Sequence, residues 1–219
     1  MQIQQAQPIY QQVYDQIKKL ILTGEFKPGS KISVSQLASD YKISRTPLRE
    51  AFRQLQKDGL LDQSQTGTTV TNINQEDFNH LCACRLLLET EIIKLAVHTI
   101  SEGDLTVAED LLNRAEQSLE NSEDLKSFLE LNAKFHETII HSVENKRLIQ
   151  LLEQVRSLLL LYRANIVRNQ ENKFEIVKEH RNIFNALKER NEAKAIRSIE
   201  EHLRQDQKRG SNMFVEETV

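Results

Sequence analysis

The stretch from Val34 to Asn72 reads VSQLASDYKISRTPLREAFRQLQKDGLLDQSQTGTTVTN, and it decides the fold of the amino-terminal third of the chain. Ser33 lies immediately before it, and Gln36 follows three residues later, which is the spacing of a helix capping box. This pair predicts a short first helix that ends near Asp40. The rest of the stretch predicts a turn, a basic second helix and a two-stranded wing, in that order.

The second helix is predicted to be amphipathic, with a basic outer face. Ser44 is a suitable N-cap for a helix that starts at Arg45, and Gly59 is a suitable stop. Between Lys42 and Lys57 the chain has five basic residues and one acidic residue, so this face is suited to contact DNA phosphates. The apolar stripe comprises Leu48, Ala51, Phe52, Leu55 and Leu60, and the opposite side carries Arg45, Arg49 and Arg53.

Two β-prone runs, Leu60 to Asp62 and Thr68 to Thr71, follow the second helix. They are joined through a turn that ends with Gly67, whose backbone freedom suits a hairpin. We interpret this hairpin as the wing of a winged helix-turn-helix. The alternative is a small helical subdomain whose arginines only face solvent. Cap, turn, basic helix, glycine stop and wing occur in one consistent order, which favours DNA binding.

The segment from about Val13 to Val70 resembles the winged helix-turn-helix of the GntR family of bacterial repressors. Lys42 stands where that family often has glycine. The resemblance implies that the start of the second helix reaches bases or nearby phosphates and that the wing turn touches the minor groove. The predicted DNA-binding residues are Ser44, Arg45, Thr46, Arg49, Thr66 and Gly67. The matching residues are Ile21, Leu22, Gly24, Pro28, Gly29, Leu37, Ala38, Ser44, Arg45, Pro47, Leu48, Arg49, Glu50, Ala51, Leu55, Gly59, Leu60 and Gly67.

Length and charge indicate a second domain with a different role. The chain has 219 residues, and a DNA-binding domain of roughly 75 residues leaves enough for another core. We predict a DNA-binding domain at 1–74 and a second domain at 75–219. The first carries nine basic and six acidic residues, and the second carries 20 and 26. Contact with nucleic acid should therefore be confined to the first domain.

No apolar run approaches the roughly 20 residues that span a bilayer. The polar stretch from Met1 to Pro8 does not have the pattern of a signal peptide. We therefore expect a cytoplasmic protein with no membrane contact. Cys82 and Cys84 are two residues apart on a predicted helix and point to different sides, which suits neither a mutual disulfide nor shared metal ligation. We interpret both as buried or idle thiols.

The second domain is predicted to be an all-α helical bundle. From Gln75 onward there is no proline, and Gly103 is the one glycine before residue 210. Runs with helical spacing fill this region and predict about six helices. The fold class is therefore mainly α, with a winged helix-turn-helix followed by a helical bundle. The predicted helices span 75–100, 104–120, 122–142, 145–169, 172–190 and 191–210.

Three of the six histidines have a spacing that predicts a shared site. Asn132 and His136 are four residues apart on one predicted helix, so their side chains leave the same face. His180 and His202 each lie 11 residues from a predicted break at Asn191, which places them at the same level of a helical hairpin. Three imidazoles and one amide oxygen would suit a first-row divalent metal with open positions. Taken singly, each histidine is explained as well by burial and hydrogen bonding.

Residues 75–210 are similar to the FCD effector domain, which accompanies this DNA-binding domain in one GntR branch. The supporting marks are RLLLE from Arg85 to Glu89, LNAKFH from 131 to 136, EHRNIFNAL from 179 to 187, and His202 with Leu203. The resemblance implies effector binding and dimerisation by this domain. It also implies a bound divalent transition metal, for which zinc, nickel and manganese are the candidates. The implied ligands are Asn132, in place of the usual aspartate, with His136, His180 and His202.

The resemblance further implies that an arginine beside the metal holds the carboxylate of a small metabolite. Arg85 is the residue that matches this arginine. A salt bridge from Arg85 to Glu89, four residues later on the same helix face, is an equally good interpretation. The two interpretations are compatible.

Together these features predict a transcriptional regulator, most often a repressor, that a small carboxylate effector controls. It would bind double-stranded DNA as a homodimer on a palindromic operator. One alternative is a metal-dependent hydrolase acting on a small carboxylic acid, because three histidines beside an open coordination position could activate water. A second alternative is a structural DNA-binding protein without effector control.

Overall fold

The structure is a computed structural model that describes residues 7–65, 67–72, 74–120, 125–166 and 170–216. The chain folds as two compact units, Met1–Asn74 and Gln75–Val219. Helices dominate both units, and the described strands are short. The predicted fold class, mainly α with a winged helix-turn-helix followed by a helical bundle, is confirmed.

The amino-terminal unit combines three helices with a small sheet. Its elements are α1 (Ile9–Leu22), β1 (Lys31–Ile32), α2 (Val34–Asp40), α3 (Arg45–Lys57), β2 (Leu61–Ser64) and β3 (Gly67–Val70). Strand β3 lies in the middle of the sheet and pairs antiparallel with β1 and β2. Strand β1 was not predicted, because two residues are too few to show an alternating pattern. Leu48 and Leu55 are fully buried, as the apolar stripe predicts, and α3 packs against α1.

Local hydrogen bonds and dihedrals define the two helices of the helix-turn-helix. The Ser33 hydroxyl accepts a hydrogen bond from the backbone N–H of Gln36 at 3.3 Å, so it caps α2. In a full capping box the Gln36 side chain would bond back to the backbone of Ser33. Here the Gln36 side chain donates to Asp40 instead, so only the Ser33 half of the predicted box is formed. Ser44 occupies the N-cap position of α3, but its side chain makes no capping hydrogen bond. Lys42 has a φ of 53°, a conformation that favours glycine and rarely suits other residues.

The carboxy-terminal unit is an all-α bundle, and the six predicted helices are present among its described residues. They are α4 (Gln75–Thr99), α5 (Glu102–Glu120), α6 (Leu125–His141), α7 (Lys146–Ile166), α8 (Gln170–Lys188) and α9 (Glu192–Glu216). Helix α4 packs against α7 and α9, and α5 packs against α6 and α8. The central core of the bundle includes Phe135, Leu152 and Phe184.

The predicted end of the last helix at residue 210 was wrong, because α9 continues to Glu216. Gly210 lies inside this helix and packs against the buried ring of Phe78 on α4. A Cβ added at Gly210 would overlap Cζ of Phe78 and lie 3.1 Å from its Cε2. The glycine therefore allows α9 to approach α4 closely and does not serve as a helix stop.

Within the described ranges, no helix is both long and apolar enough to cross a lipid bilayer. Cys82 is half-buried and Cys84 is exposed, and both thiols are free. Burial raises the pKa of Cys82 to about 11. The Cys82 thiol is therefore protonated at neutral pH, which makes it a poor nucleophile and metal ligand.

We expect Gly210→Ala to lower the free energy of unfolding by about 1–3 kcal/mol, because its Cβ overpacks against a buried ring. Urea unfolding followed by circular dichroism measures the change. Gly103→Ala is the matched control, since a Cβ there would lie 3.6 Å from the Ser101 hydroxyl, an ordinary contact. Adding Phe78→Leu to Gly210→Ala should recover part of the loss. Equal stability of the Gly210→Ala and Gly103→Ala proteins would contradict this packing account.

Candidate metal centre and DNA-reading surface

Three histidines from three helices converge inside the helical unit. His136 lies on α6, His180 on α8 and His202 on α9, and each is at most 3% exposed. The ring centroids of neighbouring pairs lie 4.7 to 5.3 Å apart. Nε2 of His136 lies 3.1 Å from Nε2 of His180, and one ligand atom from each ring lies within 4.8 Å of the others. The structure thus brings together the three histidines whose spacing predicts a shared site.

The hairpin of α8 and α9 sets the level of two of these rings. Helix α8 ends at Lys188 and α9 begins at Glu192. Arg190, in the connection, has a φ of 53°, which reverses the chain sharply. The ring of Phe135 on α6 stacks on His180, with centroids 4.7 Å apart. The hairpin thus places His180 and His202, and the stacking contact supports the ring of His180.

The donor set fits a divalent metal ion. Two nitrogen ligands 2.0–2.1 Å from a tetrahedral zinc lie about 3.3 Å apart, close to the 3.1 Å between Nε2 of His136 and Nε2 of His180. Nε2 of His202 is buried and has no hydrogen-bond partner in the part of the chain that the structure describes. An oxygen of Asp206 lies 3.5 Å from it, which is too long for a good hydrogen bond. A metal ion would satisfy this lone pair.

Glu179 fixes the tautomer of His202. Its Oε2 lies 2.8 Å from Nδ1 of His202, and we assign Nδ1–H as the donor because a carboxylate can only accept. This tautomer leaves the Nε2 lone pair available. Arg209 donates to both Glu179 and Asp206, which holds the Glu179 carboxylate in place. Metal-binding imidazoles in proteins are commonly oriented by such a carboxylate.

Asn132, the fourth predicted ligand, lies one helical turn before His136 on α6. Its side chain is buried, and the spacing of four residues places it on the same helix face as His136. An amide oxygen can bind a metal but carries no charge. Coordination by Asn132 stays a prediction. The remaining histidines of the chain, which were not predicted to be ligands, are exposed: His80, His98 and His141.

Arg85, the predicted effector-binding residue, is held in two ion pairs. Its Nε lies 2.8 Å from Glu89 Oε1, and its Nη1 lies 3.0 Å from Asp206 Oδ2. The salt bridge to Glu89 is therefore present, and the effector role of Arg85 stays a prediction. Nη1 of Arg156 lies 3.8 Å from the same Glu89 oxygen, so two guanidinium groups approach one buried carboxylate.

Burial and ion pairing act in opposite directions on the pKa values of this cluster. Burial lowers the pKa of Arg85, but the Glu89 and Asp206 carboxylates outweigh it, and the net shift is upward. Burial raises the pKa of Glu89, but Arg85 and Arg156 outweigh it, and the net shift is downward. Burial lowers the pKa of Arg156, and Glu89 offsets this only in part because Arg85 also acts on it. Arg156 is therefore a weakly compensated cation.

Sequence reasoning missed four charged residues of this cluster, namely Arg156, Glu179, Asp206 and Arg209. Two of them had a usable signal. Glu179 directly precedes His180 in the sequence. Asp206 follows His202 by four residues, which puts Asp206 and His202 on one face of α9. Arg156 had no such signal, because the packing of α7 against α4 brings it to Glu89.

The predicted DNA-binding residues of the helix lie at the exposed start of α3. Ser44, Arg45, Thr46 and Arg49 all have exposed side chains. In the wing, Gly67 is half-buried at the start of β3 and has a φ of 124°, which suits glycine. Thr66, the remaining predicted DNA contact, lies outside the described residues. The two arginines are thus presented on a surface that can enter a major groove.

Arg85→Met is expected to lower the free energy of unfolding by about 3 kcal/mol, because it leaves the buried Glu89 carboxylate poorly compensated. Arg114→Met is the matched control. Arg114 makes the same four-residue ion pair, to Asp110, on the exposed surface of α5, so its loss should cost less than about 0.5 kcal/mol. Urea unfolding at neutral pH measures both. Similar losses of unfolding free energy in the two variants would contradict this account, because they would show that the buried Arg85 ion pair contributes no more to stability than the exposed Arg114 pair.

Comparison with known proteins gives two family matches. The FCD domain model matches residues 80–205, and the model of bacterial regulatory proteins of the gntR family matches residues 9–70. The HTH-type transcriptional regulator YdhC of Bacillus subtilis (strain 168) is 34% identical over 200 residues, which cover 91% of this chain and 89% of YdhC. The HTH-type transcriptional repressor RspR of Escherichia coli (strain K12) is 25% identical over 224 residues, which cover 99% of this chain and 98% of RspR.

Among solved structures, Escherichia coli McbR/YncC has the same fold, with a TM-score of 0.83 and 22% sequence identity. The match covers 95% of this chain and 100% of that one. The two family models follow the order of the two compact units, and YdhC aligns along nearly the whole chain. This protein therefore belongs to the GntR family of DNA-binding transcriptional regulators, in the branch that carries an FCD domain.

Proposed function

We propose that this regulator is a repressor whose operator affinity is controlled by a small carboxylate bound at a metal in the helical unit. The observation that carries the proposal is the convergence of His136, His180 and His202, with the buried Nε2 of His202 lacking a hydrogen-bond partner among the described residues. RspR of Escherichia coli, one of the relatives, is named as a repressor. The relatives and structural neighbours are regulators and not enzymes, so the hydrolase alternative receives no support.

DNA recognition is assigned to α3 and the wing. Arg45 and Arg49 would contact base edges in the major groove, while Ser44 and Thr46 would contact phosphates. Gly67, with Thr66, would bring the wing to the minor groove. Phosphate contacts supply most of the affinity and make it salt-dependent, whereas the arginines supply discrimination between bases.

The operator is proposed to be a palindrome bound by a homodimer, because each chain offers one recognition helix. The helical unit has exposed apolar side chains that suit contact with a second copy. Leu87 on α4 is 73% exposed and Leu151 on α7 is 54% exposed, and these two helices pack against each other. Exposed leucines on adjacent helices are unfavourable in water and favourable in an interface.

The metal would be held by His136, His180 and His202, with Asn132 as a neutral oxygen ligand. Neutral imidazoles suit zinc and nickel, and manganese is a further candidate. When bound, such an ion acts as a Lewis acid that attracts a carboxylate oxygen. Glu179 orients His202. Arg85, which also pairs with Glu89 and Asp206, would hold the effector carboxylate beside the metal.

Control of DNA binding requires that the effector prefer one conformational state of the protein. Helix α9 is suited to respond, because it carries His202, Asp206 and Arg209, and its Gly210 packs against Phe78 near the start of α4. Ligand binding at the histidines would therefore alter how α9 packs against α4. By linkage, the operator would change the affinity for the ligand by the same factor.

Arg45→Ala and Arg49→Ala are each expected to weaken operator binding by about 1–3 kcal/mol and to relax base preference, because each removes a base-contacting guanidinium. The wild-type protein is first used to select its preferred duplexes from a randomised DNA pool. Fluorescence anisotropy with these duplexes then measures the affinity of each variant. Arg197→Ala is the control, because it removes the same charge from an exposed position on α9. If the Arg45 and Arg49 variants bind like the Arg197 variant, the assigned reading surface is wrong.

His180→Gln is expected to lose about one equivalent of bound divalent metal per chain, because it removes a ligand from the buried triad. Elemental analysis after dialysis against zinc, nickel or manganese gives the stoichiometry. The same protein should also lose the effect of metal on operator affinity. His98→Gln is the control, since His98 is exposed and pairs with Glu192, and it should retain both. Full metal occupancy in His180→Gln would remove the proposed site.

A further inference from the structure

Two basic residues of the chain have a left-handed backbone. Lys42, between α2 and α3, and Arg190, between α8 and α9, both have a φ of 53°. Within the described ranges, every other residue with a positive φ is a glycine. A side chain destabilises this conformation, because its Cβ lies too close to the following carbonyl oxygen. Each of the two positions therefore needs a reason for a long basic side chain in place of glycine.

The hydrogen bonds of the two turns explain why the backbone is left-handed there. After α2, the N–H of Lys42 donates to the carbonyl of Ser39 at 3.3 Å. The N–H of Ile43 donates to the carbonyl of Ala38 at 3.1 Å. The corresponding two hydrogen bonds around Arg190 are each 3.0 Å long. Both turns are Schellman motifs, and glycine is the usual residue at their left-handed position.

The side chain of Arg190 explains its position. Its Nη1 donates to the backbone carbonyl of Val97 at 3.0 Å, and its Nη2 donates to Glu102 at 3.1 Å. Val97 lies near the end of α4, and Glu102 begins α5. Arg190 thus joins the turn between α8 and α9 to two other helices, and these contacts offset the unfavourable backbone.

The side chain of Lys42 has no comparable role inside the fold. It is exposed, and it makes no hydrogen bond or ion pair with the part of the chain that the structure describes. Asp40, two residues earlier, accepts a hydrogen bond from the side chain of Gln36 at 2.9 Å. The ammonium group of Lys42 is therefore available to a partner outside the chain.

Lys42 lies beside the proposed reading surface. Ser44, at the N-cap of α3, follows it by two residues, and Arg45 follows it by three. Since consecutive Cα atoms are about 3.8 Å apart, the Cα atoms of Lys42 and Arg45 are separated by at most about 11 Å. A helix that enters the major groove has phosphates on both sides of it. Lysine carries a compact charge on a flexible stem, so it suits a phosphate better than a base edge.

We propose that Lys42 is a phosphate-binding residue of the helix-turn-helix, and that the turn retains an unfavourable backbone conformation because this charge strengthens DNA binding. The inference rests on the proposed docking of α3 in the major groove. It assigns Lys42 a contact that carries no sequence information, in contrast to Arg45 and Arg49. The competing explanation is structural, because a cation after the last turn of α2 also stabilises that helix through its dipole.

Three variants of the full-length protein separate the charge from the backbone. Lys42→Met removes the charge and keeps a long side chain in the left-handed conformation. Lys42→Gly removes the charge and relieves the backbone, so it should unfold at a higher urea concentration than Lys42→Met. Lys42→Arg keeps the charge. If the ammonium group binds a phosphate, the two neutral variants should bind DNA equally weakly, although they differ in stability.

Fluorescence anisotropy at several salt concentrations gives the affinity for the selected duplexes and for a scrambled duplex. We expect each neutral variant to lower the slope of log affinity against log salt concentration by about 0.9 for each bound chain. With the difference extrapolated to zero at about 1 M salt, this slope corresponds to an affinity loss of about eightfold for each bound chain at about 0.1 M salt. The loss should be the same on both kinds of duplex, whereas Arg45→Ala should reduce the preference for the selected duplexes. Lys42→Arg should bind like the wild-type protein.

Two matched controls make the same kinds of change elsewhere in the chain. Lys178→Met removes an exposed charge from α8, and Arg190→Gly relieves the other left-handed Schellman position. Both should retain the DNA affinity and the salt dependence of the wild-type protein.

The outcomes separate this inference from the proposed function. Wild-type affinity and salt slope in both neutral variants would overturn the phosphate contact, and would leave the reading surface in place if Arg45→Ala still binds weakly. Wild-type affinity in Lys42→Gly alone, or a loss of affinity without a change of slope, would also overturn it, because the effect would then come from the fold and not from the charge. If Arg45→Ala binds like the wild-type protein as well, the proposed docking of α3 itself fails. A loss of affinity and slope in both neutral variants, which Lys42→Arg and the two controls do not share, supports the assignment.

Discussion

Ionised side chains inside a helical bundle must be compensated, and the network around His202 does this with three guanidinium groups and three carboxylates, of which Arg156 is the weakly compensated member. Glu179 accepts from Nδ1 of His202, and Arg209 holds Glu179. The result is an imidazole with a defined tautomer and a lone pair without a hydrogen-bond partner among the described residues. The groups that would support the proposed metal ion are therefore already in place.

Helix α9 links this chemistry to the rest of the helical unit. It carries a histidine, an aspartate and an arginine of the network at successive turns, and its Gly210 packs closely on Phe78 of α4. The recognition helix α3, in the amino-terminal unit, exposes its charged residues, whereas α9 buries the charged residues of the network. Its apolar stripe is buried and its arginines are exposed, so the basic residues of this otherwise acidic chain are available to DNA.

Much of the fold was predictable from the sequence, because the signals were local. Ser33 caps α2 as its spacing with Gln36 predicts, and the absence of proline after residue 75 agrees with the helical bundle. The level of His180 and His202 followed from counting residues to one turn. The approach of Arg156 to Glu89 could not be predicted in this way, because it depends on how two helices pack. The predicted end of the last helix at residue 210 was wrong for a related reason, since the packing of Gly210 against Phe78 depends on how α9 lies on α4.

X-ray absorption spectroscopy at the metal edge of the purified, zinc-loaded protein tests the central claim most directly, because it reports which atoms surround the ion. We expect three imidazole nitrogen ligands at about 2.0–2.1 Å, with oxygen completing the coordination shell. On addition of a small carboxylate, the oxygen part of the shell should change and the imidazole part should stay. A shell of oxygen atoms without imidazole, or sulfur from Cys82 or Cys84, would contradict it.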